Sequence, residues 1–84
     1  HDFDIVELIV LLRNIPNIIC FNILEYTYGN ANMFSKYLYE KLGKEYVSAT
    51  KALGHILLTK DYHSNKARNV VVTSYSILVH RNIM

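Results

Sequence analysis

Ser48, Lys51, Ala52, His55 and Thr59 recur at intervals of one to four residues, and at 100° per residue they share one stripe of a helix. The stripe is small, polar and partly cationic, and it holds no carboxylate. A lysine ammonium on such a stripe suits phosphate oxygens, while a serine hydroxyl and an imidazole suit base edges. A face that serves only solubility normally mixes glutamate with lysine. Lys44 and Lys60 flank the stripe, and the acid-free connector His63-Ser64-Asn65-Lys66-Ala67-Arg68-Asn69 follows. A loop of that composition suits straddling a phosphate backbone or reaching a minor groove. The residues expected to contact DNA are therefore Lys44, Ser48, Lys51, His55, Lys60, Lys66 and Arg68.

These residues need elements to position them. Met33–Leu42 and Val47–Thr59 read as helices joined around Gly43-Lys44-Glu45-Tyr46, the outline of a helix-turn-helix. Phe34, Tyr37, Leu38 and Leu42 form the inward face of the first, with Ser35, Lys36, Tyr39 and Glu40 pointing out. Tyr46, Ala49, Thr50, Leu53, Ile56 and Leu57 form that of the second. Upstream, Asp4 caps a helix over Ile5–Leu12 that is apolar nearly all round, so it is central to the core or meets another chain. Pro16 breaks the chain, and Asn17 caps a helix over Ile18–Tyr28. Only Asn22 and Glu25 mark a polar strip on it, so it should be mostly buried. Gly29 ends it, and Asn30 or Asn32 caps the next helix.

Downstream, Tyr62 is expected in one wing strand, and the β-branched run Asn69–Tyr75 in the other. Thr73 or Ser74 then caps a final helix over Tyr75–Ile83 that joins a dimer contact. The expected fold is mainly α with a small β-hairpin, a winged helix-turn-helix, as a single domain over residues 1–84. No internal repeat or linker divides the chain.

Composition sets bounds. A chain of 84 residues buries only somewhat more than about 60% of its unfolded surface, and 51% hydrophobic residues leave apolar surface for a partner subunit. The net charge is +2 and the pI about 8.8, which suits nucleic acid only if the cations share a face. Cys20 is the sole cysteine, so neither an internal disulfide nor a thiolate cluster is expected, and the default setting is reducing and cytoplasmic. Its place is an apolar helix face. The run Ile5–Leu12 is broken by Glu7 and Arg13, so neither a signal peptide nor a membrane span is expected.

The order of elements resembles the winged helix-turn-helix regulators of the ArsR, MarR and PadR type in bacteria and archaea. Leu11–Tyr28 is similar to their opening helices, Phe34–Leu42 to their positioning helix and Ser48–Leu57 to their recognition helix. The resemblance implies that Ser48, Lys51 and His55 face the groove and that Lys66 and Arg68 sit on the wing. Two departures stand out. The turn between Leu42 and Ser48 is longer than the usual one, and the positioning helix lacks the paired cysteines of thiolate metal sensors. His55, His63 and His80 show no ligand spacing, so no metal or other cofactor is expected.

The leading expectation is double-stranded DNA binding as a homodimer, through the N-terminal helix and C-terminal segment, for transcriptional control near the nucleoid. A DNA-organising or plasmid-partition protein of the same fold is a close variant. The rival is an all-helical protein-interaction module, favoured by the apolar first helix and the seven tyrosines. Val70–Tyr75 discriminates: a hairpin there favours the wing, a helix the interaction module. An enzyme is not expected. Asp2, Asp4 and Glu7 read as helix-capping charges, and no nucleophile–base set or phosphate loop stands at a mechanistic spacing.

Overall fold

The computed structural model describes residues 5–83, with side chains described over residues 10–82. The capping expected of Asp2, Asp4 and Glu7 falls on side chains outside that range. Five helices follow one another: α1 (Ile5–Asn14), α2 (Asn17–Tyr28), α3 (Ala31–Leu42), α4 (Val47–Thr59) and α5 (Asn65–Ile83). A single 3-10 turn, Lys44–Tyr46, leads into α4.

The helix boundaries follow local chemistry. Pro16 has φ −57° and ψ 147°, and its carbonyl accepts from the amides of Ile19 and Cys20. The cap of α2 is thus the proline's backbone, and Asn17 instead donates its side-chain amide to Asn69 on α5. Gly29 ends α2 at φ +110°, a conformation that side chains resist. The Asn30 side chain accepts from the Met33 amide at 2.9 Å and starts α3. Lys60 closes α4 in the left-handed conformation, its amide donating to the Ile56 carbonyl at 2.8 Å.

The expected hairpin is not there: the segment from Asn65 to Ile83 is one continuous helix, and no strand occurs among the described residues. Ser64 starts it, its hydroxyl accepting from the Ala67 amide at 3.1 Å and its carbonyl from the Arg68 amide at 3.0 Å. The reason lies in burial. Ala67, Val71, Val72, Ser74, Tyr75, Leu78 and Val79 are all buried and span an arc of about 160° at 100° per residue. A strand would send Val71 and Val72 to opposite faces. As a helix the segment sends both into the core, and this outweighs the β preference of the valines.

α5 packs against each of the other four helices. Around it lie Cys20, Phe21 and Leu24 of α2, Phe34, Leu38 and Leu42 of α3, and Leu53 and Ile56 of α4. Cys20 is buried as expected, and burial pushes its thiol pKa up. On α3 the inward face runs through Ala31, Phe34, Ser35, Leu38 and Leu42. Ser35 is therefore buried where sequence placed it outside, and Tyr37 stays exposed against an inward expectation. Arg81 of α5 donates to the carbonyls of Lys41 at 2.9 Å and Leu42 at 3.5 Å. It thereby satisfies acceptors that the end of α3 leaves open.

Candidate functional site

The α4 stripe is on the surface. Ser48, Lys51, His55 and Thr59 are exposed and Ala52 half-exposed. Lys51, His55 and Lys66 line one cleft of about 460 Å³ between α4 and the start of α5, with Thr59 and Ser64 beside them. Asp61 also lines it, so the cleft carries a carboxylate that the stripe lacks. Lys44 is exposed on the 3-10 turn, near Glu40 and Lys51. Lys60 is exposed beyond the far end of α4.

Arg68 does not join this group. On α5 it lies two residues from Lys66, about 200° away around the helix. Its guanidinium sits 5.9 Å from the centre of the Phe21 ring, with Nε buried and unpartnered. The shared wing of Lys66 and Arg68 is thus replaced by opposite sides of one helix. Apolar groups also interrupt the outer face of α4: Val47 is 52% exposed and Leu58 82%. A helix fitted only to phosphates and base edges has little use for a leucine in water.

α2 presents a different surface. Its inner side is Cys20, Phe21 and Leu24, all buried. Its outer arc carries Ile18 (43% exposed), Ile19 (45%), Asn22 and Tyr26 (91%). The helix is apolar on both sides, yet only one side is covered, against the expectation that it would be mostly buried. No charged residue stands on that arc; Glu25, half-buried, is at its edge. A helix apolar all round belongs between two packing partners, and here one partner is its own domain.

The other surface expected in a dimer contact divides. On α1, Val10 is 51% exposed while Leu11 and Leu12 pack partly against the core; the residues before Val10 lie outside the described side chains. The C-terminal segment buries Tyr75, Leu78 and Val79 inside its own domain.

The expectation of a mostly buried α2, with Asn22 and Glu25 its only polar strip, missed chain economy: one short domain does not supply enough neighbours to cover all five helices. Among the described residues no group of three or more histidine, cysteine, aspartate or glutamate side chains is placed to hold a metal, and no helix is long and apolar enough to cross a membrane. Compared with known proteins, the chain matches no family model, no curated protein and no solved structure.

Proposed function

We propose that this chain is an all-helical protein-interaction module that docks through the outer face of α2. The observation that carries the reading is the uncharged row Ile18, Ile19, Asn22 and Tyr26 standing in water on a helix whose other side is core. Aromatic and aliphatic residues without charge are what the centre of a protein interface uses. A tyrosine as exposed as Tyr26 contributes little to its own fold and a large contact area to a partner.

A photocrosslinking residue placed at Tyr26 in the native host tests this. An adduct is expected from position 26 and not from the exposed Lys36 on α3, and Ile18→Ser with Ile19→Ser should abolish it. Those two serines should leave the thermal melt nearly unchanged, since exposed positions usually shift stability by no more than about 0.5 kcal/mol. Absence of any adduct at positions 18, 22 and 26 would reject the reading.

A second reading, DNA binding through the helix-turn-helix pair α3–α4, draws on the exposed row Ser48, Lys51 and His55 with Lys66 across the cleft. It is the reading nearest to the ArsR, MarR and PadR resemblance, without a wing. Under it, homodimeric binding to duplex DNA for transcriptional control would fall steeply with salt. Lys51→Ala with Lys66→Ala should weaken binding at low salt at least tenfold, as measured by fluorescence anisotropy on a random duplex. Binding that the double variant leaves intact removes this reading.

A further inference from the structure

We infer that the cleft between the end of α1, the 3-10 turn and the end of α5 binds a phosphate monoester of an aromatic group, with Arg13 and Arg81 holding the phosphate. The cleft lies apart from the exposed row of α2, so the inference goes beyond the interaction reading and does not depend on it.

The first observation is charge without a counter-charge. The cleft has a volume of about 620 Å³, within the range of small-molecule sites. Arg13 from the last turn of α1 lines it, with His80 and Arg81 from the last turn of α5. No aspartate or glutamate lines it among the described residues; Glu45 lines the adjoining cleft instead.

The second is that neutral groups already hold both guanidiniums in place. Arg13 Nη2 lies 3.3 Å from His80 Nε2, and because a guanidinium only donates, the imidazole accepts. Arg81 donates to the carbonyls of Lys41 and Leu42, and its guanidinium carbon stands 6.0 Å from the centre of the Tyr46 ring. These contacts orient two cations and cancel neither charge. A ligand that meets them loses less freedom in ordering the site than one that must gather loose side chains.

The chemistry of the walls then selects the ligand. Two positive charges match a phosphate monoester, which carries about −1.5 to −2 at neutral pH on three acceptor oxygens. A carboxylate brings one charge and two oxygens. Thr73 and Ser76 line the same cleft about one turn apart on α5, and their hydroxyls can donate to an oxygen that the arginines leave open. Leu12, Tyr46 and Ile77 supply apolar wall that a bare phosphate would leave wet and an aromatic body would cover. Tyr46, Thr73 and Ile77 also line the adjoining cleft of about 720 Å³, which gives a body longer than one ring room to extend.

Amide NMR titration of the purified chain with naphthyl phosphate tests this. Saturating shifts centred on Arg13, Thr73, Ser76 and His80 are expected, with a Kd of about 100 µM. Inorganic phosphate and the uncharged naphthol should each bind at least tenfold more weakly, the one lacking the apolar body and the other the charge. Naphthoate should fall between them and the phosphate ester. Arg13→Gln should weaken naphthyl phosphate at least tenfold, and Ser76→Phe, which fills the cleft, should abolish binding. Lys36→Gln, on α3 and outside the cleft, should leave it unchanged. Arg81 also caps the end of α3, so Arg13 is the position that separates ligand contact from fold, and the same spectra report whether each variant is folded.

Absence of saturating shifts at about 1 mM naphthyl phosphate overturns the inference. So do shifts centred on Lys51 and Lys66, or an Arg13→Gln chain that is folded and binds like the wild type. Naphthoate, naphthol or inorganic phosphate binding as tightly as the ester would overturn the assignment of the ligand. None of these results bears on the photocrosslink at Tyr26, so the two readings fail separately.

Discussion

Phe34→Ala should leave this domain close to its unfolding threshold. Phe34 is 1% exposed, with its ring centre 4.7 Å from that of Tyr28 and 5.5 Å from that of Tyr75. Removing the ring loses its transfer free energy and opens a cavity that three helices line, a loss of about 3–5 kcal/mol. At 0.05–0.15 kcal/mol per residue, a chain of this length has only about 4–13 kcal/mol in total. Urea denaturation followed by far-ultraviolet circular dichroism should show a midpoint lowered by a large fraction of its wild-type value. Phe34→Leu, which leaves a smaller cavity, should fall between the two. A midpoint for Phe34→Ala within error of wild type would mean that α3 does not pack through this face.

The contrast with α2 is instructive. Ile18 and Ile19 are as apolar as any core residue, yet replacing them should cost little because water already surrounds much of each side chain. The expected stability effects therefore separate residues that hold the fold from residues that stand at its surface, although composition and helical pattern do not distinguish them.

How much of this the sequence carries depends on where its punctuation lies. Pro16, Gly29-Asn30 and Gly43 each force a break; α2 and α3 fall between them and α4 follows the last, over Val47–Thr59 as expected. The segment after Gly54 has neither glycine nor proline, and there the reading went wrong. Val70-Val71-Val72-Thr73 has the composition of a strand, and the basic residues before it suggested a hairpin tip. Two signals pointed the other way: Ser64 stands where a helix begins, and no tight-turn glycine is available for a hairpin. What decided the outcome is non-local. α5 has four helices to pack against, and only a helix brings Ala67, Val71, Val72, Tyr75, Leu78 and Val79 into one buried arc.

The candidate surfaces divide along the same line. Ser48, Lys51 and His55 are exposed where helical periodicity put them, because periodicity along one helix is a local property. Whether Lys66 and Arg68 share a surface depended on the form of the segment bearing them, and the helix turned them apart. The bare face of α2 was beyond local pattern altogether. Its exposure reflects how many neighbours the domain supplies, which no single helix records.

Alkali should unfold this protein through Tyr75, and Tyr75→Phe should remove much of the effect. Tyr75 is buried, and its hydroxyl lies 3.0 Å from that of Tyr28, beneath the rings of Phe34 and Tyr28. Burial first, then the Tyr28 hydroxyl, pushes its phenol pKa well above the ordinary value near 10. The sign follows from proton linkage. Below pH 10 both folded and unfolded chains keep this proton, and the full stability is present. Above pH 10 the unfolded chain releases it while the folded chain still holds it, so stability falls as pH rises towards the raised native value. This one group should remove about 1.4 kcal/mol per pH unit. Phenylalanine in its place forfeits the bond to Tyr28, about 0.5–1.5 kcal/mol, and makes the variant the less stable protein at neutral pH. It then declines more slowly in alkali, so urea titrations of the two proteins should give stability curves that cross near about pH 11. Parallel curves from pH 8 to pH 12 would show that Tyr75 ionises alike in both states, and its hydroxyl would then be open to water.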